Sequence, residues 1–325
     1  MDLMEKYVAK RHALRQTHGF HAHHFAWGVV CIILVAVIMG IWSQAQLLQT
    51  QNNTLKRKLA VATSDQPTCR ATDSWKKDST QEFTTQIDGM KRSYLVHTPA
   101  DFDKTEYYSL VIHYGGKGIS AHVSETGFGL NTLPAIVAYP QPTIGKDGAY
   151  SWQGAPYSSG ADDTAFTSKI IDELQAKLCI NRTKVYVTGF SNGGGFAALL
   201  SCQIPEKIAA VAVVAAAIYK PYDTCTPEQP VSLLSIHSDN DLAVPYYGST
   251  ARNLPSIHDW VARRASDDGC RVSNQTLLNI SLSRTTWQQC HDGSEVQAIR
   301  VLGGQHGWGY VDNDYIWKFL SRFSH

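Results

Sequence analysis

From about residue 93 onward the chain alternates short apolar runs with amphipathic ones. Ser93–His97, Tyr108–Tyr114 (YSLVIHY), Pro134–Tyr139 and Val185–Thr188 are β-branched or aromatic runs of strand length. They end at Gly, Pro or polar residues and predict strands. Ile208–Ala216, Val231–Ile236 and Glu295–Leu302 predict three more. Several of these runs lack period-two alternation, which is the pattern of strands buried on both faces of a parallel sheet. Between them, Ala161–Leu178 carries apolar residues at Phe166, Ile170, Ile171 and Leu174, with acids at its start. That is an amphipathic helix whose charges suit its N-terminal end. Phe196–Cys202, Leu254–Ala265 and Asp314–Phe323 predict further helices, and the Gly-, Pro-, Ser- and Tyr-rich stretch Gln141–Gly160 predicts a loop. The alternation predicts an α/β fold with a mostly parallel sheet covered by helices on both faces.

The N-terminal region has another pattern. Gln16 to Leu55 contains no Lys, Arg, Asp or Glu, and Phe25–Trp42 is almost wholly apolar. Those residues, as a helix, would rise about 27 Å, close to the thickness of the hydrocarbon layer of a bilayer. Trp27 and Trp42 stand near its two ends, where interfacial aromatics are favoured. Ile41-Trp42-Ser43-Gln44-Ala45 makes a poor cleavage site, so an uncleaved signal anchor is expected rather than a signal peptide. Lys6, Lys10, Arg11 and Arg15 place the N-terminus on the cytoplasmic side. The domains expected are a tail over 1–24, a transmembrane segment over 25–42, a stalk over 43–68 and a globular domain over 69–325. The stalk lacks Pro and Gly until Pro67 and reads as helical. His18, His21, His23 and His24 in the tail have no acidic or Cys partners and are read as a titratable tail, so no metal site is expected.

Composition changes little else. The net charge of +1 gives no electrostatic case for a nucleic-acid partner. Of seven cysteines, Cys31 lies in the apolar segment. The other six, Cys69, Cys179, Cys202, Cys225, Cys270 and Cys290, are an even set without a C-x-x-C pair, which suggests disulfides in an exported domain and leaves their connectivity open. Sequons at Asn52, Asn181, Asn274 and Asn279 are compatible with export.

Candidate chemistry begins at Lys184–Gly195, KVYVTGFSNGGG. A strand, then Gly189-Phe190-Ser191-Asn192-Gly193, then a helix is the context of a nucleophile elbow. A serine hydroxyl needs a base to take its proton and a third group to orient that base. In this fold class they follow in the order Ser, acid, His. Val231–Ile236 runs into His237-Ser238-Asp239-Asn240-Asp241, and Glu295–Leu302 runs into Gly303-Gly304-Gln305-His306. Asp241, just before a Leu-Ala-Val-Pro turn, is preferred to Asp239, which reads as a turn residue capping local amides. His306 is the expected base, while His237, His258 and His291 read as a strand-end, a helix-face and a loop residue. The oxyanion donors expected are the backbone amides of Asn192 and of Gly115 or Gly116. The His113 side chain reads as structural. Tyr150, Trp152, Tyr157, Tyr246 and Trp308 could either line an aromatic cleft or cap the core; Trp152, Tyr246 and Trp308 are the substrate-binding candidates. No cofactor is expected.

From roughly Tyr94 to His325 the chain resembles the polyhydroxybutyrate depolymerase and feruloyl esterase group of α/β-hydrolases, which includes carbohydrate esterases. The resemblance rests on Ala161-Asp162-Asp163-Thr164-Ala165-Phe166, Val185–Gly194, His237–Asp241 with Val244-Pro245-Tyr246, and Gly303–Trp308. It implies Ser191 as nucleophile, Asp241 as orienting acid and His306 as base. It also implies secretion with disulfides, including a Cys270–Cys290 bridge; Cys202–Cys225 and Cys69–Cys179 are the other pairs expected. The sequence departs from the group's His-Gly at His113-Tyr114 and again at His237-Ser238. The function expected is a membrane-anchored, extracytoplasmic serine ester hydrolase acting on carbohydrate-linked feruloyl or acetyl esters. A polyhydroxyalkanoate depolymerase is the alternative, and a non-catalytic glycan-binding or adhesion module on the same fold is the rival of another class.

Overall fold

The computed structural model describes residues 39–42, 44–46, 49, 69–72, 74–220 and 228–325. Most of the expected membrane span and stalk, the His-rich tail and Cys225 lie outside the described residues. Among those described, no helix is long and apolar enough to cross a membrane. The chain divides between Pro67 and Thr68, and all the elements named below belong to the second unit.

That unit is built on one ten-stranded sheet. Its strands are β1 (Ser79–Ile87), β2 (Met90–Thr98), β3 (Tyr108–Tyr114), β4 (Ile136–Pro140), β7 (Ile180–Phe190), β8 (Ala210–Val214), β9 (Ser232–Ser238), β10 (Val272–Asn279), β11 (Leu282–Gln288) and β12 (Val296–Val301). A separate two-stranded ribbon, β5 (Thr143–Ile144) and β6 (Tyr150–Ser151), lies inside the expected loop. The order across the sheet is β1-β2-β4-β3-β7-β8-β9-β12-β11-β10. From β4 to β12 every neighbouring pair is parallel, and the outer pairs on both flanks are antiparallel.

Both faces of the centre are buried, which explains the apolar runs without alternation. Successive residues point to opposite faces. Leu110, Ile112 and Tyr114 of β3 join one core cluster and Val111 joins the other. Helices α2 (Asp163–Lys177), α3 (Asn192–Gln203) and α4 (Ile257–Asp267) cover the first face through Phe166, Phe196 and Trp260. The second face lies under α1 (Ala121–Gly127) and α5 (Asn313–Leu320), with Ile316 and Phe319 buried. Each large apolar side chain buried in this way contributes about 1.5–3 kcal/mol. Asp162 caps α2, its side chain accepting from the Ala165 amide at 2.8 Å.

Besides the β5–β6 ribbon, three features are not foreshadowed by the hydrophobic pattern. β1 (STQEFTTQI) is mostly polar and pairs at the sheet edge. α1 is only seven residues, about two turns, capped by Ser120. The hairpin β10–β11 is largely exposed on β10 and extends the sheet beyond β12. Disulfides join Cys69 to Cys179 and Cys270 to Cys290, and the second closes the base of that hairpin.

Candidate active site

β7 delivers Ser191 to the C-terminal edge of the sheet, between its neighbours β3 and β8. The turn there is tight. Ser191 has φ 54°, a left-handed value rare for a residue with a side chain and costly unless its surroundings enforce it. The surroundings do enforce it. The Ser191 amide donates to Val214 O at 3.0 Å, and its carbonyl accepts from Gly195 N at 3.0 Å and Ala217 N at 2.9 Å. A Cβ on Gly193 would run into the carbonyl oxygens of Tyr114 and Gly115, so only glycine lets the helix start this close to β3. Asn192, fully buried, opens α3, where first-turn amides lack intrahelical partners and favour negative charge.

The loop after β3 passes directly against the serine. A Cβ on Gly116 would stand 3.1 Å from Ser191 Cβ. Two carbonyls of this loop are engaged elsewhere. Gly115 O accepts from Trp152 Nε1 at 2.8 Å and Gly116 O from Ile119 N at 3.1 Å. Trp152 also donates its amide to Asn192 Oδ1 at 2.9 Å and stacks on Phe196 with centroids 5.6 Å apart. Its neighbour Gln153 donates its amide at 2.7 Å to Asp163 Oδ2, while the other oxygen of Asp163 pairs with Arg92 at 2.8 Å. Burial pushes the Asp163 carboxyl up, and Arg92 and the Gln153 amide oppose that only in part. The chain of contacts from Arg92 to Asn192 thus braces the loop and the elbow together.

His306 sits in the turn after β12. Its Nδ1 lies 2.7 Å from Asp241 Oδ2, and its ring lies 4.8 Å from that of Phe190, next to the serine. Asp241 is almost wholly buried, and its other oxygen accepts from the amides of Ala243 at 2.9 Å and Val244 at 2.7 Å. Burial alone would push this carboxyl up, but hydrogen bonds from His237, His306 and the Val244 amide hold it well below the usual carboxylate range. Asp239 has a different place. It accepts from the Gly303 amide at 2.7 Å and pairs with Arg300 at 2.9 Å, so it clasps the turn that carries His306.

One feature escapes a strand-by-strand reading. His237 is no bland strand end: its Nε2 lies 3.4 Å from Asp241 Oδ2 and 2.8 Å from Val244 O. The i, i+4 spacing of His237 and Asp241 was the available signal. His113 is buried against Phe128 and Trp308, and burial pushes its pKa down to about 3, so it packs as a neutral ring.

The aromatic candidates do not form one cleft. Trp152 is 0% exposed, a correction to its expected role in substrate binding: its indole is used up holding Gly115 and packing on Phe196. Tyr246, 8% exposed, faces the ring of His237 at 6.0 Å. Trp308 is half-buried, donating to Asn313 Oδ1 at 3.2 Å and packing edge-on to Phe128. Tyr157 packs edge-on to Tyr219.

No family model matches the chain. Feruloyl esterase B of Piromyces equi is 27% identical over 254 residues, covering 72% of this chain and 45% of that protein. This chain therefore spans under half the length of the Piromyces protein. Feruloyl esterase D of Neurospora crassa is 27% identical over 261 residues, covering 75% of this chain and 86% of its own. Among solved structures, a ferulic acid esterase of Anaeromyces mucronatus superposes with a TM-score of 0.53 at 16% identity, over 79% of this chain and 94% of that one. At that identity the superposition speaks for the fold, and the sequence relatives speak for the class. By sequence the chain resembles the feruloyl esterases and by fold it is an α/β-hydrolase, and it is an esterase of the serine carboxylic-ester hydrolase type.

Proposed function

We propose that Ser191, His306 and Asp241 act as nucleophile, base and orienting acid in the hydrolysis of carbohydrate-linked esters, of feruloyl or acetyl type. The observation that carries this is the 2.7 Å contact of His306 Nδ1 with a desolvated, ionised Asp241, beside a serine held at positive φ. With Nδ1–H committed to Asp241, Nε2 of His306 is the lone pair that accepts the Ser191 proton. Ser191 Oγ attacks the ester carbonyl. The oxyanion is held by the Asn192 amide and by an amide of the Gly115–Gly116 loop. His306 then protonates the leaving sugar hydroxyl, and water, activated by the same histidine, releases the acid from the acyl-enzyme. The names of the sequence relatives support the feruloyl class.

The catalytic domain is proposed to work outside the cytoplasm, tethered by a helix over residues 25–42. The uncharged apolar run and the Cys69–Cys179 and Cys270–Cys290 bridges support this reading. The test of the chemistry is turnover of methyl ferulate and p-nitrophenyl acetate by the purified full chain and by Ser191→Ala. Hydrolysis that vanishes in the variant is expected; turnover on no ester, or turnover that survives the substitution, would sink the assignment. The tether is tested by adding protease to intact cells: if residues 69–325 stay uncut until the cells are lysed, the topology is wrong.

A further inference from the structure

A cavity of about 370 Å3 opens between β9, β12, the β10–β11 hairpin and α4. Neither Ser191 nor His306 lines it, so it is distinct from the proposed reaction centre. Its size falls in the range of about 300–1,000 Å3 typical of small-molecule sites. The hairpin, tied at its base by Cys270–Cys290, supplies one wall with Ser273, Ser283, Thr285 and Trp287. Tyr246 supplies a second aromatic surface.

The chemistry of the lining is selective. No carboxylate lines the cavity, so a cationic ligand would find no counter-charge. Arg300 lines it but is already paired with Asp239 at 2.9 Å and with Tyr247 Oη at 2.8 Å, so an anion would meet a compensated charge. A wholly apolar ligand would strip water from several hydroxyls without replacing their hydrogen bonds. What remains is a neutral, hydroxyl-bearing ring with an apolar face.

His237 sharpens this further. Its Nε2 faces only acceptors, Val244 O at 2.8 Å and Asp241 Oδ2 at 3.4 Å, so the proton of the neutral ring sits there. Nδ1 is then a lone-pair acceptor. His237 lines the cavity with its side chain 1% exposed, and Nδ1 has no protein hydrogen-bond partner. A buried acceptor left unmet is unfavourable, and an O–H group is the donor that would satisfy it without bringing charge.

We propose that this cavity binds one neutral sugar ring, with a hydroxyl donating to His237 Nδ1 and the ring face against Trp287 or Tyr246. It would serve as a second hold on a polysaccharide whose ester is cut at Ser191, and so rests on the carbohydrate reading of the function. The binding measurement does not require turnover, so the two can fail separately.

The experiment is calorimetric titration of the full chain carrying Ser191→Ala with xylose, xylotriose and glucose. Saturable one-to-one binding of at least one sugar is expected. Adding Thr285→Trp, which fills the cavity from the exposed hairpin, should weaken that binding at least tenfold without lowering the thermal unfolding midpoint. Where that variant does not fold, the 15N signal of His237 Nδ1 takes its place, and it should shift on titration with the bound sugar. No saturable binding of any of the three would overturn the proposal. So would binding indifferent to Thr285→Trp, or a His237 signal that stays fixed.

Discussion

Replacing Asp241 with Asn keeps the shape of the side chain and removes one acceptor. The Ala243 and Val244 amides, at 2.9 and 2.7 Å, decide which way the new group lies. Turning the Asn nitrogen toward them would leave the buried Val244 donor unmet, at about 1–3 kcal/mol, and the part-buried Ala243 donor as well. The Asn oxygen therefore stays on the loop, and its NH2 faces His306 Nδ1 where a carboxylate oxygen stood at 2.7 Å. Donor would meet donor unless the imidazole moves its proton to Nε2. It then has no lone pair to offer Ser191. The same substitution in another serine hydrolase lowers kcat about 10⁴-fold by this route, or about 5.5 kcal/mol of transition-state stabilisation. A loss of that order is expected here, with the fold kept, since the loop hydrogen bonds survive. Steady-state hydrolysis of p-nitrophenyl acetate near neutral pH, with a circular dichroism melt of the same sample, measures both. A kcat loss under tenfold in a folded Asp241→Asn protein would refute the tautomer argument.

The same carboxylate has a pH signature. Its folded pKa lies below the ordinary value of about 3.9, so its stabilisation is complete above that pH and is lost as pH falls toward the depressed value. The stability of the wild type relative to Asp241→Asn should shrink between about pH 4 and pH 2 in urea titrations, and a constant difference would contradict the linkage. Gly193→Ala pushes a Cβ into backbone carbonyls that cannot yield and should cost about 3 kcal/mol or more. Gly116→Ala meets Ser191 Cβ at 3.1 Å and Phe190 Cδ1 at 3.2 Å, so it should leave the melt nearly unchanged while lowering kcat about tenfold or more. Equal effects of the two on folding would count against the close-approach reading. The Cys69–Cys179 and Cys270–Cys290 bridges span 110 and 20 residues. Loop-closure entropy makes the first worth about 1.5 kcal/mol more, so the paired Cys→Ser variants should differ by that much in chemical denaturation.

Local chemistry made much of this molecule readable. YSLVIHY is a strand over all seven of its residues, because β-branched and aromatic side chains suit a pleated surface and Gly115 stops it. The elbow was readable for a similar reason: a strand, a glycine-flanked serine and an apolar helix follow one another without a gap. β1 and the β10–β11 hairpin were not readable. Their residues are largely polar, and they form because edge strands satisfy backbone hydrogen bonds against β2 and β12. Trp152 was misjudged for a related reason. An aromatic in a Gly/Ser-rich loop has the same sequence signature whether it faces solvent or, as here, folds under the loop to brace Gly115.

The order Ser, Asp, His at three strand ends is a property of the chain, because parallel strands deliver their C-terminal ends to one edge whatever the loops between them do. Which acid meets the histidine was settled only by folding. Asp239 and Asp241 stand two residues apart, yet one clasps Gly303 and Arg300 while the other meets His306 at 2.7 Å. The same holds for His237 beside Asp241 and for the cavity that His237 shares with a hairpin some 40 residues further on. Such contacts join distant segments with a geometry set to within a few tenths of an ångström, and no periodicity along a chain encodes a distance across it.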